Sequence, residues 1–188
     1  MVLVMTGCST QPNQTSADED WKERSAKLQR LEVWHADGKV ALRKADHSES
    51  VSLSWTQRNN HTDLNLSGPL GLGATKISSD GKTLEINKAG TSSSYDISSP
   101  EMIAKETGWD LPLQALQHWL KGVPAPSGNI QKLEVEKGLL KTLEQFGWTI
   151  TYQNYGQFGP YTLPTNLQIE RSNSRARLIV RNWKTKAV

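Results

Sequence analysis

Internal disulfides are excluded from this chain, because its 188 residues contain a single cysteine, Cys8. A lone thiol is a spare group, an intermolecular link or a modified residue. Bulky aromatic filler is short as well, with phenylalanine only at Phe146 and Phe158. No apolar run approaches the roughly 18 residues that a spanning helix needs, so any membrane attachment is expected to be by lipid. Charge is nearly balanced: a formal +3 and a pI near 9.0 are too mild to point to nucleic acid. There is no zinc spacing, no phosphate-binding glycine loop and no repeat. The four histidines, His35, His47, His61 and His118, are scattered, and no serine sits in a nucleophile elbow. No catalytic residue, metal site or cofactor is therefore expected.

What is present begins at the head. Cys8 follows Met5-Thr6-Gly7 and precedes a dozen positions of Ser, Thr, Gln, Asn, Pro and acid. A small-residue cleavage site ending in Gly-Cys is the pattern at which bacterial exporters attach lipid to a new N-terminal cysteine. Residues 1–7 read as the remnant of a lipoprotein signal, and 8–20 as a lipidated flexible linker with a span of roughly 20 Å. Residues 21–188 are expected to form a single domain.

The first helix is predicted over Asp18–Arg30, with Trp21, Ala26, Leu28 and Leu31 as its apolar contacts. The period then changes to two. Val51, Leu53 and Trp55 alternate with Ser50, Ser52, Ser54 and Thr56, and Leu64 and Leu66, Leu84 and Ile86, and Tyr95 and Ile97 repeat the pattern. Asp37-Gly38, Asn59-Asn60 and Asp80-Gly81 read as turns. Ser99-Pro100-Glu101 reads as the start of a short helix running to Gly108. A second helix is predicted from Leu111 to Lys121, stopped by Gly122, with Leu113, Leu116, Trp119 and Leu120 on one face. Strands resume at Leu140–Gln145, at Trp148, Ile150 and Tyr152, at Leu167 and Ile169, and at Leu178 and Val180. Arg171, Arg175, Arg177, Arg181, Lys184 and Lys186 gather late in the chain, as a solvated face or as a surface for an anionic membrane or partner.

The fold class is mainly β with a few helices: an antiparallel sheet of about ten strands, each with one apolar face. That face must close on itself, be filled or be covered. Tryptophan is abundant and suits the edge of a greasy cavity, being apolar in body and polar at its N–H. Trp55, Leu64, Leu66, Trp148 and Ile150, with Trp119 from the second helix, are the candidate acyl-chain cavity residues. An ordinary packed barrel core is the alternative.

Trp55-Thr56-Gln57, then Leu64-Asn65-Leu66-Ser67-Gly68-Pro69-Leu70-Gly71, then Gly108-Trp109-Asp110-Leu111-Pro112 with Leu116, Trp119, Leu120 and Gly122, form one spaced set. Gly147-Trp148 with Tyr152, Leu163-Pro164 and Asn182-Trp183 extend it. As a set, from about Trp21 to Trp183, they resemble the LolB family of outer-membrane lipoprotein receptors. The resemblance implies an unclosed antiparallel half-barrel, LolA/LolB-like, with a helical lid over a hydrophobic cavity. It implies a monomer, lipid-anchored on the periplasmic side of the outer membrane of a Gram-negative bacterium. Such a protein accepts lipoproteins from the soluble periplasmic carrier LolA, binds their acyl chains and inserts them into the inner leaflet of the outer membrane, without nucleotide, metal or nucleic acid. Cys8 matches the lipidated cysteine. Leu70 matches the apolar residue of the family's membrane-insertion loop, and Leu72 follows as a second apolar group. A scaffold, or a lipid-binding store without transfer activity, is the alternative function.

Overall fold

Serine at every second position shapes β2 (Ser48–Arg58): Val51, Leu53, Trp55 and Gln57 are buried while the intervening side chains face outward. The same alternation runs through one antiparallel sheet. In the computed structural model, residues 14–43, 48–68, 73–96, 112–172 and 174–185 are described. Helix α1 (Gln14–Gln29) leads into β1 (Val33–Arg43), β2, β3 (His61–Ser67), β4 (Thr75–Ser79), β5 (Thr83–Lys88) and β6 (Thr91–Asp96). Helix α2 (Leu113–Lys121) precedes β7 (Ile130–Glu136), β8 (Leu139–Gln145), β9 (Trp148–Phe158), β10 (Tyr161–Arg171) and β11 (Ser174–Thr185).

The strand order is β6-β5-β4-β3-β2-β1-β11-β10-β9-β8-β7. Two meanders are thus joined where the first strand pairs with the last, and β6 and β7 remain as open edges. Asn59 (φ 52°) turns β2 into β3. At the β4–β5 turn the Asp80 carboxylate accepts from the Lys82 and Thr83 amides at 2.8 Å each, which draws its pKa down to about 2.

Asp37-Gly38 is not a turn. Both residues lie inside β1, at a bulge where Asp37 pairs with Asn182 and Gly38 with Val180, leaving Arg181 of β11 as the extra residue. The inserted residue reverses the parity of β11. Ala176, Leu178 and Val180 face inward before it, and Trp183 faces inward after it. Gly38 is required there, since a Cβ would overlap the carbonyl oxygen of Ile179. Pro164, buried in the central strand β10, stands at a second irregularity where ladder bonds are already broken.

Helix α1 begins at Gln14, earlier than the pattern predicted, so the span read as a flexible linker is helical from residue 14 onward. It docks mainly through cations: Arg24 donates to the Thr162 carbonyl, and Lys27 to that of Pro160 at 2.7 Å. The Lys27 ammonium also lies 5.0 Å from the ring centre of Tyr161. Leu28 and Leu31 supply the buried apolar contacts. Cys8, Leu70, Leu72 and the helix predicted from Ser99 to Gly108 lie outside the described residues. No described helix is long and apolar enough to cross a membrane.

Candidate functional site

The inner face of the sheet carries five of the six candidate cavity residues, and Trp119 faces them from helix α2. Trp55 and Leu64 are cross-strand partners, and Leu53 pairs with Leu66. On the other side of the β1–β11 seam, Ile150 stands between Leu143 and Ile169. Trp148 lies under the Arg171 guanidinium, 4.4 Å from its ring centre. Trp34, not singled out from the sequence, joins the seam to this wall: its ring centre is 5.4 Å from that of Trp55 and 5.3 Å from that of Trp183. Each of the six candidates is buried within a continuous apolar cluster.

Helix α2 covers this face. Ala115, Leu116, Trp119 and Leu120 point inward, and Gly122 ends the helix in the left-handed region at φ 80°, its N–H reaching the Trp119 carbonyl at 3.0 Å. Trp119 is held by a buried polar knot. Gln145 Oε1 accepts from Trp119 Nε1 and from the Ala125 amide, both at 2.9 Å, while its Nε2 donates to the Ala125 and Ser127 carbonyls. The Tyr152 hydroxyl donates to the Trp119 carbonyl at 2.8 Å. Gln145 was missed in the sequence; the available signal was a polar residue at an inward position of a strand, two residues after Leu143.

The same helix reaches the far half of the sheet. Leu113, Gln114, Gln117 and His118 line an opening of about 330 Å³ together with Asn60, Thr62, Leu84 and neighbouring residues of the β2–β3 and β4–β5 turns. Eight strand spacings separate β5 from β8 in the sheet order, about 38 Å if the sheet were flat. A helix of nine residues is only about 14 Å long. It meets both regions because the sheet curls beneath it, which makes the architecture an open half-barrel with a helix across its mouth.

Two titratable groups sit on the helix. Lys121 is buried, with Nζ donating to the Leu31 carbonyl at 3.0 Å, and burial lowers its pKa to about 8. Burial, aided by the charge of Lys121, lowers His118 to about 4. The imidazole is therefore neutral near pH 7, and its Nδ1 is buried without a hydrogen-bond partner. No cluster of His, Cys, Asp or Glu among the described residues could hold a metal ion. Taken together, the curled sheet and α2 pack an apolar inner face, with hydrogen-bonding groups around an opening beside the helix.

Residues 32–183 match the family described as "Outer membrane lipoprotein LolB". An outer-membrane lipoprotein LolB of Chromohalobacter salexigens is 32% identical over 187 residues, covering 97% of this chain and 86% of that protein. Its counterpart in Pseudomonas aeruginosa is 34% identical over 166 residues, or 88% and 80%. Among solved structures, a LolA superfamily protein from Nitrosomonas europaea superposes with a TM-score of 0.57 at 10% identity, covering 92% of this chain and 94% of that one. A DUF1329 family protein from Desulfovibrio piger does so at 0.61, also at 10% identity and covering 94% of each chain. At that identity the likeness concerns the fold alone.

Proposed function

Because this chain belongs to the outer membrane lipoprotein LolB family, we propose that it is the outer-membrane receptor that takes lipoproteins from a LolA-like periplasmic carrier and inserts them into the membrane. The observation that carries the reading is an unclosed sheet whose inner face is apolar apart from the hydrogen-bonded Gln57 and Gln145, covered by helix α2. Lipoprotein acyl chains contain dozens of CH₂ groups at about 0.8 kcal/mol each, so they move from one apolar cavity into another rather than through water. A curled face that never closes offers an entrance for such a transfer, and nothing in the scheme calls for catalysis or a nucleotide. Trp55, Leu64, Leu66, Trp119, Trp148 and Ile150 are the residues we assign to the acyl-binding wall. Cys8 is the assigned lipid anchor, on the periplasmic side of the outer membrane. Leu70, with Leu72 beside it, is assigned to the membrane-insertion loop.

The test starts from a lipoprotein-loaded carrier mixed with this chain bearing Cys8→Ala behind a cleavable secretory leader. Cargo should pass to the soluble variant, because the anchor decides location and not receipt. Leu70→Glu should receive cargo normally yet retain it in the presence of liposomes, since an ionised carboxylate resists entry into hydrocarbon. A receptor that acquires nothing from the carrier and binds no fluorescent acyl probe would instead be an envelope scaffold.

A further inference from the structure

The opening beside α2 differs from the wall it adjoins. Leu84 and Leu113 form its floor, and both belong to or pack against the apolar cluster. Around them stand amides and hydroxyls, chiefly Asn60, Thr62, Gln114 and Gln117, with the neutral His118. None of the described residues that line it is Lys, Arg, Asp or Glu. At about 330 Å³ it has the size of a small-ligand site. Its chemistry selects a ligand that is polar, uncharged and continuous with apolar chain.

We propose that this opening is the subsite for the glyceryl ester and amide linkage of an acylated cysteine, and that the lack of charge among its described lining residues excludes phospholipid headgroups. The inference rests on the lipoprotein-receptor reading given above. An acylated cysteine offers ester carbonyls, which accept, and an amide N–H, which donates. The side-chain amides of Asn60, Gln114 and Gln117 are donors for the carbonyls. The Thr62 hydroxyl already donates to Gln57 Oε1 at 2.8 Å, so toward a ligand it acts as an acceptor for the N–H. His118, neutral near pH 7, lines the opening beside them. A phosphodiester would meet no cation among the described lining residues, and burying an unpaired anion is costly. Of the nearby cations, Lys121 is turned to the Leu31 carbonyl, and Lys82 of the β4–β5 turn is not among the described lining residues. A protein that works beside a bilayer is thereby kept from filling with the bilayer's own lipid.

The experiment uses the full chain carrying Cys8→Ala and a fluorescent acyl probe displaced by three competitors: a tripalmitoyl-cysteinyl tetraserine peptide, dipalmitoyl phosphatidylglycerol, and methyl palmitate. The wild-type wall should prefer the peptide over the phospholipid by about tenfold or more. Replacing Gln117 and His118 together by Leu should weaken peptide binding by about tenfold and leave methyl palmitate within about twofold. Gln117→Lys should raise phosphatidylglycerol affinity by roughly fivefold; this half-buried site tolerates the change, so it decides the matter if the double variant fails to fold by circular dichroism. Equal binding of peptide and phospholipid by the wild type, or a preference unchanged in a folded double variant and in Gln117→Lys, would overturn the subsite while leaving acyl binding in place. Failure of every competitor and of the probe itself to bind would overturn the receptor reading, and the subsite with it.

Discussion

Gln145 carries more of the architecture than any apolar residue near it, since one fully buried amide satisfies the Trp119 indole and both backbone groups of Ala125. Removing it strands several buried polar groups at once, each costing about 1–3 kcal/mol. Gln145→Leu should therefore lower the unfolding free energy by about 3 kcal/mol or more, read from the urea midpoint, and Tyr152→Phe by only about 1 kcal/mol. His118 supplies a pH dependence. Its pKa falls from the ordinary 6.5 to about 4 on folding, so between those values the unfolded chain holds more protons. The contribution to stability is complete above pH 6.5 and is lost as pH falls toward 4. His118→Gln should flatten the acid limb of the stability profile over that window relative to the parent chain. Comparison of the two proteins cancels the carboxylates that titrate alongside it.

At the scale of elements, the Arg181 bulge decides which way the end of β11 faces. It turns Trp183 inward, where Nε1 donates to the Pro164 carbonyl at 3.0 Å and the ring meets Trp34. Deleting Arg181 would restore a regular ladder with Asn182 alone facing outward between Val180 and Trp183, so Trp183 should stay inward. The expected change in stability is small, within about 1 kcal/mol, with tryptophan emission unshifted. A red-shifted spectrum in a stable deletion variant would show that Trp183 has left the core and that the strand pairs in another register. The Asp-Gly turn signal failed here because it is a local preference, while the β1–β11 pairing that overrides it joins residues from opposite ends of the chain. Helix α1 was located but its extent was not. Its polar face is useful only because carbonyls and tyrosine rings from the β9–β10 hairpin wait for Arg24 and Lys27.

The whole molecule has an apolar interior side and a basic exterior on the central strands. Lys39, Arg43, Arg175 and Arg177 are exposed on the outer face where β1 and β11 pair, around the exposed Ile179. Arg175 is already bound to Glu170, and Arg177 Nε donates to Asn166 Oδ1 at 3.2 Å. Exposed charges of this kind act on association rate and are screened within roughly 8 Å at physiological salt. Reversing Arg177 and Lys39 to Glu should slow cargo acquisition or delivery at low salt and have little effect at high salt, followed by stopped-flow fluorescence. A defect that persists unchanged in high salt would locate the damage in the fold.

From sequence alone the strand faces were legible, because alternation is a local property written directly in the residues: Val51, Leu53 and Trp55 had to share a side whatever they packed against. The hairpins at Asn59-Asn60 and Asp80-Gly81 and the stop at Gly122 were legible for the same reason, since each rests on a few neighbouring dihedrals. Helix α2 bore its apolar face openly as well. What only the tertiary structure decided was which distant groups meet: the β1–β11 seam with its bulge, the Gln145 knot under Trp119, the burial of Lys121 against Leu31, and the opening between α2 and the two hairpin tips. Those depend on the curl of the sheet, a sum of small twists over eleven strands that no local pattern encodes.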